Sequence, residues 1–416
     1  MNTDQLKPQQ AARISWILYD WASSPLPTLH ATFVFAVYFT TVIAPENGSF
    51  YWAQMTALSA FLLAFTAPVM GRYADSKGLV KQGFIASSII AAVVTAALWF
   101  IQPSSDFFLL ALILSGLSIF FNEAAFLFYN GLLPLIGSKS EYGRLSGLGW
   151  GSGYIGAVVA LLLVLFILIL PDPPLFGPNS GSGLSVRLTM LFAGLWLIIF
   201  ALPLFIFGPK PAARPLTGSF TTQMITSLRR AGRIPGMKRF LLARMMFTDG
   251  LVTLFAFGGI FAAKVFFFNQ TDILIFAIAL NVTAGLGAIL SGTLTDRLGP
   301  SLVMRVSLLG LIVLGIIATL ATDKSIFWAA GLALGLFIGP CQSSARVWMA
   351  KRVPEEHTAS MFGLFAFSGK VTSFIGPLFY GWLIVFTGYE RSGMAIVIIL
   401  LLFGYLLLPP RHHAAS

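Results

Sequence analysis

Seven titratable residues stand inside long apolar runs of this chain: Asp20, His30, Glu123, Arg244, Asp249, Arg346 and Lys370. A charge in hydrocarbon is costly, so each must face a cavity or a partner. The chemistry open to such groups is binding of charge and transfer of protons, not bond cleavage. Glu123 falls near the middle of the run SIFFNEAAFLFYNG. Phe126 and Asn130, at i+3 and i+7, share its helical face, with Asn122 and Tyr129 on an adjoining stripe. A carboxylate on such a mixed polar and aromatic face can take an ammonium group or a proton; the alternative is a buried structural carboxylate. Lys370, in SGKVTSF, belongs to the other half of the chain and would lie opposite Glu123 if the halves face each other. That pair suits a zwitterionic solute and would neutralise itself when empty. Asn130, Tyr129, Asn281 and His30 complete the solute and coupling set. His30 follows Pro25 and Pro27, which each remove a backbone donor and bend the helix, although a lone histidine is more often a hydrogen-bonded packing residue.

A second group has the spacing of a gate. Asp20 and Asp249 occupy matching places in the two halves, with Arg244 and Arg346 as candidate partners and Gln342 on the Arg346 face at i+4. The alternative is bonding within one half. Asp75 and Asp296 sit in a repeated G-x-x-x-D-x-x-G, GRYADSKG at 71–78 and GTLTDRLG at 292–299. An aspartate at a membrane boundary can cap the N-terminus of a neighbouring helix, where free N–H groups and the helix dipole favour an anion. That would latch one half onto the other; the plainer reading is a polar turn.

The elements that must position these residues follow from composition. Hydrophobic residues make up 57% of the 416-residue chain and charged residues 10%, against about 25% charged in a soluble domain. The class is an all-α integral membrane protein. One cysteine, Cys341, allows neither an internal disulfide nor a thiolate metal cluster. A spanning helix needs about 20 mostly apolar residues. Twelve candidates occur, at about 14–43, 50–73, 83–101, 107–136, 147–170, 187–207, 240–267, 272–294, 303–321, 325–350, 361–386 and 393–408, numbered below as spans 1 to 12. Of the 26 Lys and Arg, 21 fall in the termini, the even-numbered connections and nearby span ends. The positive-inside rule then puts both termini in the cytoplasm. The net charge of +11 is thus a topology signal and not a nucleic-acid surface. No cleavable signal peptide is apparent in MNTDQLKPQQAAR. Trp16 and Trp21 read as interfacial anchors, and Trp150 is ambiguous. The 208–239 connection holds seven Lys or Arg and no acid. It reads as a tether, with TTQMITSLRRAGRI able to form an amphipathic surface helix.

The repeat extends beyond the loop. Gly71 and Gly292 are 221 residues apart, Asp20 and Asp249 229, and the Gly147–Leu148 and Gly363–Leu364 steps 216. Near-constant shifts at matching places indicate two six-helix bundles in one orientation, at 1–207 and 240–416 with the linker 208–239 between them.

The repeated loop resembles that of the major facilitator superfamily, but departs from its usual basic continuation: only Lys81 follows the first copy, and Pro300 then Arg305 the second. SWILYDWASS at 15–24, FYNGLLP at 128–134, GRLSGLGWGSGYIG at 143–156, LLARMMFTDG at 241–250, AFGGIFAA at 256–263 and FGLFAFSGKVTSFIGP at 362–377 resemble the vacuole-effluxer-like branch. The resemblance implies the major facilitator fold, a cavity lined by spans 1, 4, 7 and 10, alternating access and small-solute transport; the fungal namesake is associated with amino-acid efflux from the vacuole.

Other signals lead elsewhere and are set aside. Gly151, Gly153 and Gly156 spell G-x-G-x-x-G, but open a membrane span and not a βαβ unit; with Gly147 and Gly149 they allow close helix packing. Span 5 lacks the central Gly-Pro of related drug antiporters, and Gly376–Pro377 marks a bend in span 11. His30, His357, His412 and His413 form no ligand cluster, and neither a Walker loop nor a nucleophile–base pair is visible. The expectation is a secondary transporter with no cofactor and no metal. Its partners would be a small polar or zwitterionic solute, membrane lipid and a coupling proton carried by Glu123 or Asp20. It would bind no nucleic acid and act as a monomer in a bacterial inner membrane. The alternatives are an exporter of amphipathic compounds and a membrane interaction or lipid-handling protein.

Overall fold

A computed structural model describes residues 3–46, 48–169, 183–213, 229, 232–268, 270–354 and 357–410. Among them the chain is helical, with twelve helices long and apolar enough to cross a membrane. Spans 1 to 6 are Gln9–Ile43, Tyr51–Lys77, Val80–Phe100, Ser105–Ile136, Tyr142–Ile169 and Leu184–Phe207. Spans 7 to 12 are Met237–Phe266, Ile275–Leu298, Pro300–Leu320, Lys324–Arg352, Thr358–Thr387 and Glu390–Leu407. All twelve expected spans are present. Most begin or end a few residues outside the apolar windows, because polar end turns still satisfy their backbone within the helix. The amphipathic stretch expected at 221–234 lies mostly outside the described residues.

Spans 1 to 6 pack on one another, as do spans 7 to 12, and the two bundles meet chiefly through spans 2 and 11 and spans 5 and 8. Trp16 is fully buried inside the first bundle, stacked on Tyr129 with centroids 4.5 Å apart. This corrects its reading as an interfacial anchor: its indole N–H donates to the Tyr129 carbonyl at 3.1 Å.

Span 1 is broken by the expected prolines. Pro25 has no N–H, so the Trp21 carbonyl loses its helical donor; the Trp196 indole of span 6 supplies one at 3.1 Å. A wide π-turn at Thr28–Phe33 follows. Span 11 is broken as well. Its first helix ends at Lys370 and its second begins at Ile375, just ahead of Gly376–Pro377. The first half packs on spans 2 and 4 of the other bundle; the second packs on spans 7 and 12 of its own.

The basic residues of the repeat have a structural use. Lys81, at the start of span 3, donates to the carbonyls of Ile206 and Gly208 at the end of span 6, at 3.1 and 2.7 Å. Arg305 in span 9 does the same for Leu408 and Pro409 after span 12, both at 2.9 Å. Each places a cation on a helix C-terminus within its own bundle.

Candidate functional site

Three layers of charge cross the bundle interface, rising from the face that carries the Lys- and Arg-rich connections. The outermost is a reciprocal pair of caps. Asp75 of span 2 accepts from the backbone N–H of Ala359 and Ser360 at 3.1 and 2.7 Å, in the first turn of span 11. Asp296 of span 8 accepts from Gly143 and Arg144 at 2.6 and 2.8 Å, in the first turn of span 5. Each carboxylate thus holds the free N–H groups and positive dipole end of a helix in the opposite bundle. Glycines make the approach possible: a Cβ on Gly147 would lie 2.9 Å from the Gly292 Cα, and one on Gly363 2.8 Å from the Pro68 Cα.

The second layer is a buried ion pair between spans 1 and 10. Both terminal nitrogens of Arg346 reach Asp20 Oδ2 at 3.1 Å, and both side chains are almost fully buried. Arg346 Nε donates to Ser146 Oγ and Nη2 to the Ser146 carbonyl, both at 2.8 Å, while Nη1 reaches Asn130 Oδ1 at 3.4 Å. All five guanidinium N–H groups therefore have an acceptor. Tyr129 donates to the same Asp20 oxygen at 2.8 Å, and the Trp16 ring lies 4.6 Å from the guanidinium carbon. Gly149 completes the fit, since a Cβ there would sit 3.0 Å from Arg346 Nη2 and still closer to Asp20.

The third layer lies deepest. Lys370 Nζ is 2.8 Å from Glu123 Oε1, joining span 11 to span 4. At 1.5 Å per residue, Glu123 is about 20 Å along span 4 from its basic end. The pair borders a cavity of about 350 Å³ between the bundles, within the range of small-molecule sites. Its walls come from spans 1, 4, 5, 7, 8, 10 and 11, so spans 5, 8 and 11 join the four expected ones. Phe126, Phe247, Phe362 and Phe365 line the apolar side, with Asn122, Asn130, Asn281 and Gln342 among the polar groups.

Glu123, Lys370, Asn130 and Asn281 are thus brought to one cavity. His30 is not: it is fully buried in the first bundle, its Nε2 3.0 Å from Ser115 Oγ, because the π-turn after Pro27 rotates it away. Tyr129 also lies outside the cavity wall and acts through Asp20. Asp20 and Arg346 pair across the bundles, whereas Asp249 does not mirror Asp20. Asp249 instead accepts from the Gly376 N–H at 3.1 and 3.3 Å and caps the second half of span 11 inside its own bundle. Arg244 does not pair with it; Nη1 bonds Ser368 Oγ at 2.9 Å and the Phe365 carbonyl, and the side chain lines the cavity. Ser146 and Gly149 were not singled out by sequence, which marks them only as members of a small-residue run. Among the described residues no group of three or more His, Cys, Asp and Glu could hold a metal ion.

Two helical bundles around a central charged cavity, joined at one face by reciprocal helix caps, give this membrane-spanning chain the major facilitator fold. The model of the family described as vacuole effluxer Atg22 like matches residues 36–410, and the chain belongs to that family. It is similar to the uncharacterized MFS-type transporter YxiO of Bacillus subtilis (strain 168), 26% identical over 406 residues that cover 95% of this chain and 93% of the relative. It is also 26% identical over 287 residues to autophagy-related protein 22 of Cryptococcus neoformans, covering 62% of this chain and half of the fungal one. In fold it is similar to the major facilitator transporter FucP in an outward conformation, at a TM-score of 0.74, 14% identity and coverage of 98% and 99% of the two chains. A bacterial homologue of ferroportin in an outward-facing state gives 0.71, with 14% identity and 96% and 98% coverage.

Proposed function

We propose that this transporter moves a small polar or zwitterionic solute, amino acids being the first candidates, by alternating access between the bundles 1–207 and 240–416. The observation that carries the reading is the Glu123–Lys370 pair across the cavity. Both groups are partly exposed to it, and each can exchange its partner for a solute group of opposite charge. With the basic face cytoplasmic in a bacterial inner membrane, the three closed layers correspond to an outward-facing state. Glu123, or Asp20 once Arg346 withdraws, is the group placed to carry a coupling proton. The chain would work as a monomer, with 208–239 as its tether.

The test is counterflow of a labelled amino-acid panel into proteoliposomes, wild type beside Glu123→Gln. Saturable exchange lost in the variant supports the reading; no exchange of any amino acid removes the zwitterion. The phenylalanine wall supports a second reading, export of amphipathic compounds, which predicts competition by apolar cations and none by amino acids.

A further inference from the structure

Four of the charged groups around the cavity are already matched. Glu123 neutralises Lys370, and Asp20 neutralises Arg346. Arg244 of span 7 lines the same cavity with no carboxylate at ion-pair distance among the described residues. Its Nη1 is committed to Ser368 Oγ and the Phe365 carbonyl, and its carbon lies 3.4 Å from the Phe365 ring centroid. That stacking fixes the plane of the guanidinium, while among the described residues Nε and Nη2 make no hydrogen bond. Counting Glu123 and Asp20 against Lys370, Arg346 and Arg244, these groups around the cavity carry one cation in excess, and it offers a preorganised pair of donors.

The facing wall has its own unmet groups. Among the described residues, Asn122 of span 4, only 4% exposed, has no partner for Oδ1, and Trp150 of span 5 has none for its indole N–H. Both line the cavity. A buried polar atom without a partner is costly, and here an acceptor and a donor stand across the cavity from an unpaired fork.

We propose that Arg244 is the anchor for a carboxylate on the transported solute, held by Nε and Nη2, while the rest of the solute satisfies Asn122 and Trp150. A planar fork matches a planar oxyanion in two parallel bonds, which an ammonium cannot do. Arg244 then takes the solute carboxylate first, and Lys370, released when Glu123 turns to the solute's ammonium, is its secondary partner. The inference rests on the transport reading above and narrows its substrate to solutes with a carboxylate. A solute so placed bridges span 7 of one bundle to spans 4 and 5 of the other.

The experiment measures binding to the purified full-length chain, by thermal shift and radioligand displacement, with matched probes: several amino acids, their α-amides and their N-acetyl derivatives. Wild type is expected to bind at least one free acid tenfold or more tightly than its amide. Arg244→Gln should weaken the acid about 30-fold and leave the amide unchanged, since charge-assisted bonds are lost only for the acid. Arg244→Lys should fall between. Ser368→Ala, which removes the same contact between spans 7 and 11 but keeps the cation, should retain the preference. If the glutamine variant does not fold, the lysine and serine variants decide. A folded Arg244→Gln that still prefers the acid overturns the proposal, as does a wild type that binds acids no better than amides or binds no probe. Counterflow of the same probes, with sugars and nucleosides added, separates the two readings. Exchange of neutral solutes without acid preference removes the anchor and keeps transport; acid preference without exchange of any solute keeps the anchor and removes transport.

Discussion

Replacing both latch carboxylates by amides should open the basic face. Asp75 and Asp296 each accept two backbone N–H bonds at the start of a helix in the other bundle. An asparagine can keep one of these; its NH₂ then confronts the second N–H. The loss per latch is one bond to a charged group, about 1.5–3 kcal/mol, plus about 0.3–1 kcal/mol of charge–dipole attraction. Asp75 is buried, 8% exposed, and belongs at the upper end; Asp296 is more exposed and belongs at the lower. The sites share no partner, so the losses add, to about 4–8 kcal/mol. Inverting a 99:1 equilibrium takes about 5.5 kcal/mol, so the double variant Asp75→Asn, Asp296→Asn should populate a separated state that wild type does not. The assay is the distance between spin labels at Tyr73→Cys on span 2 and Leu298→Cys on span 8, in a Cys341→Ser background. Wild type should give one short distribution, the double variant an added longer one, and each single variant a smaller share of it. An unchanged distribution in the double variant would refute the latch.

Removing one partner of the Asp20–Arg346 pair leaves a buried charge alone, so Asp20→Asn and Arg346→Gln should each cost about 3–5 kcal/mol of folded or closed-state stability. The double variant should cost less than their sum, read by melting in detergent; strict additivity would deny the pairing. Gly149→Ala should lower transport more than Gly258→Ala, because a Cβ at 149 meets the ion pair whereas one at 258 meets nothing within 4 Å; equal effects would sink this. On the basic face, Glu141 is held below the usual carboxylate range, first by hydrogen bonds from Ser138 and then by Arg13 at 2.6 Å. A lowered folded pKa means stability that is present above the ordinary value near 4.5 and lost as pH falls below it. Glu141→Gln should therefore lower the melting temperature at neutral pH and flatten the acid limb, the two profiles converging below the ordinary value; equal melting at neutral pH with an identical acid limb would count against it.

The architecture was legible because long apolar runs and basic loops follow directly from the cost of burying charge and backbone in lipid. The caps were legible too: a repeated aspartate between glycines specifies a helix-end anion, and both copies do the same work. The Glu123–Lys370 juxtaposition followed from placing one charge on each half. What escaped is rotational phase. His30 and Tyr129 lie within a few residues of cavity-lining positions, yet a π-turn in one helix and the twist of another direct both side chains elsewhere. Asp249 matched Asp20 in sequence and parted from it in space because span 11 breaks between Lys370 and Ile375, and the free N–H of Gly376 claims the carboxylate. Arg244 was grouped with the gate for the same reason: sequence shows that a charge is buried, not which neighbour has already been matched.

The pair of caps is self-complementary. Each half carries one carboxylate and one open helix start, and gives the first to the partner while receiving on the second. Such a surface needs no second kind of surface to close upon; a six-span unit bearing both parts would dock onto its own copy by a twofold rotation about the membrane normal. Joining two copies in one chain leaves that geometry intact and frees the two halves to diverge inside the cavity, where one now presents Glu123 and the other Lys370 and Arg244.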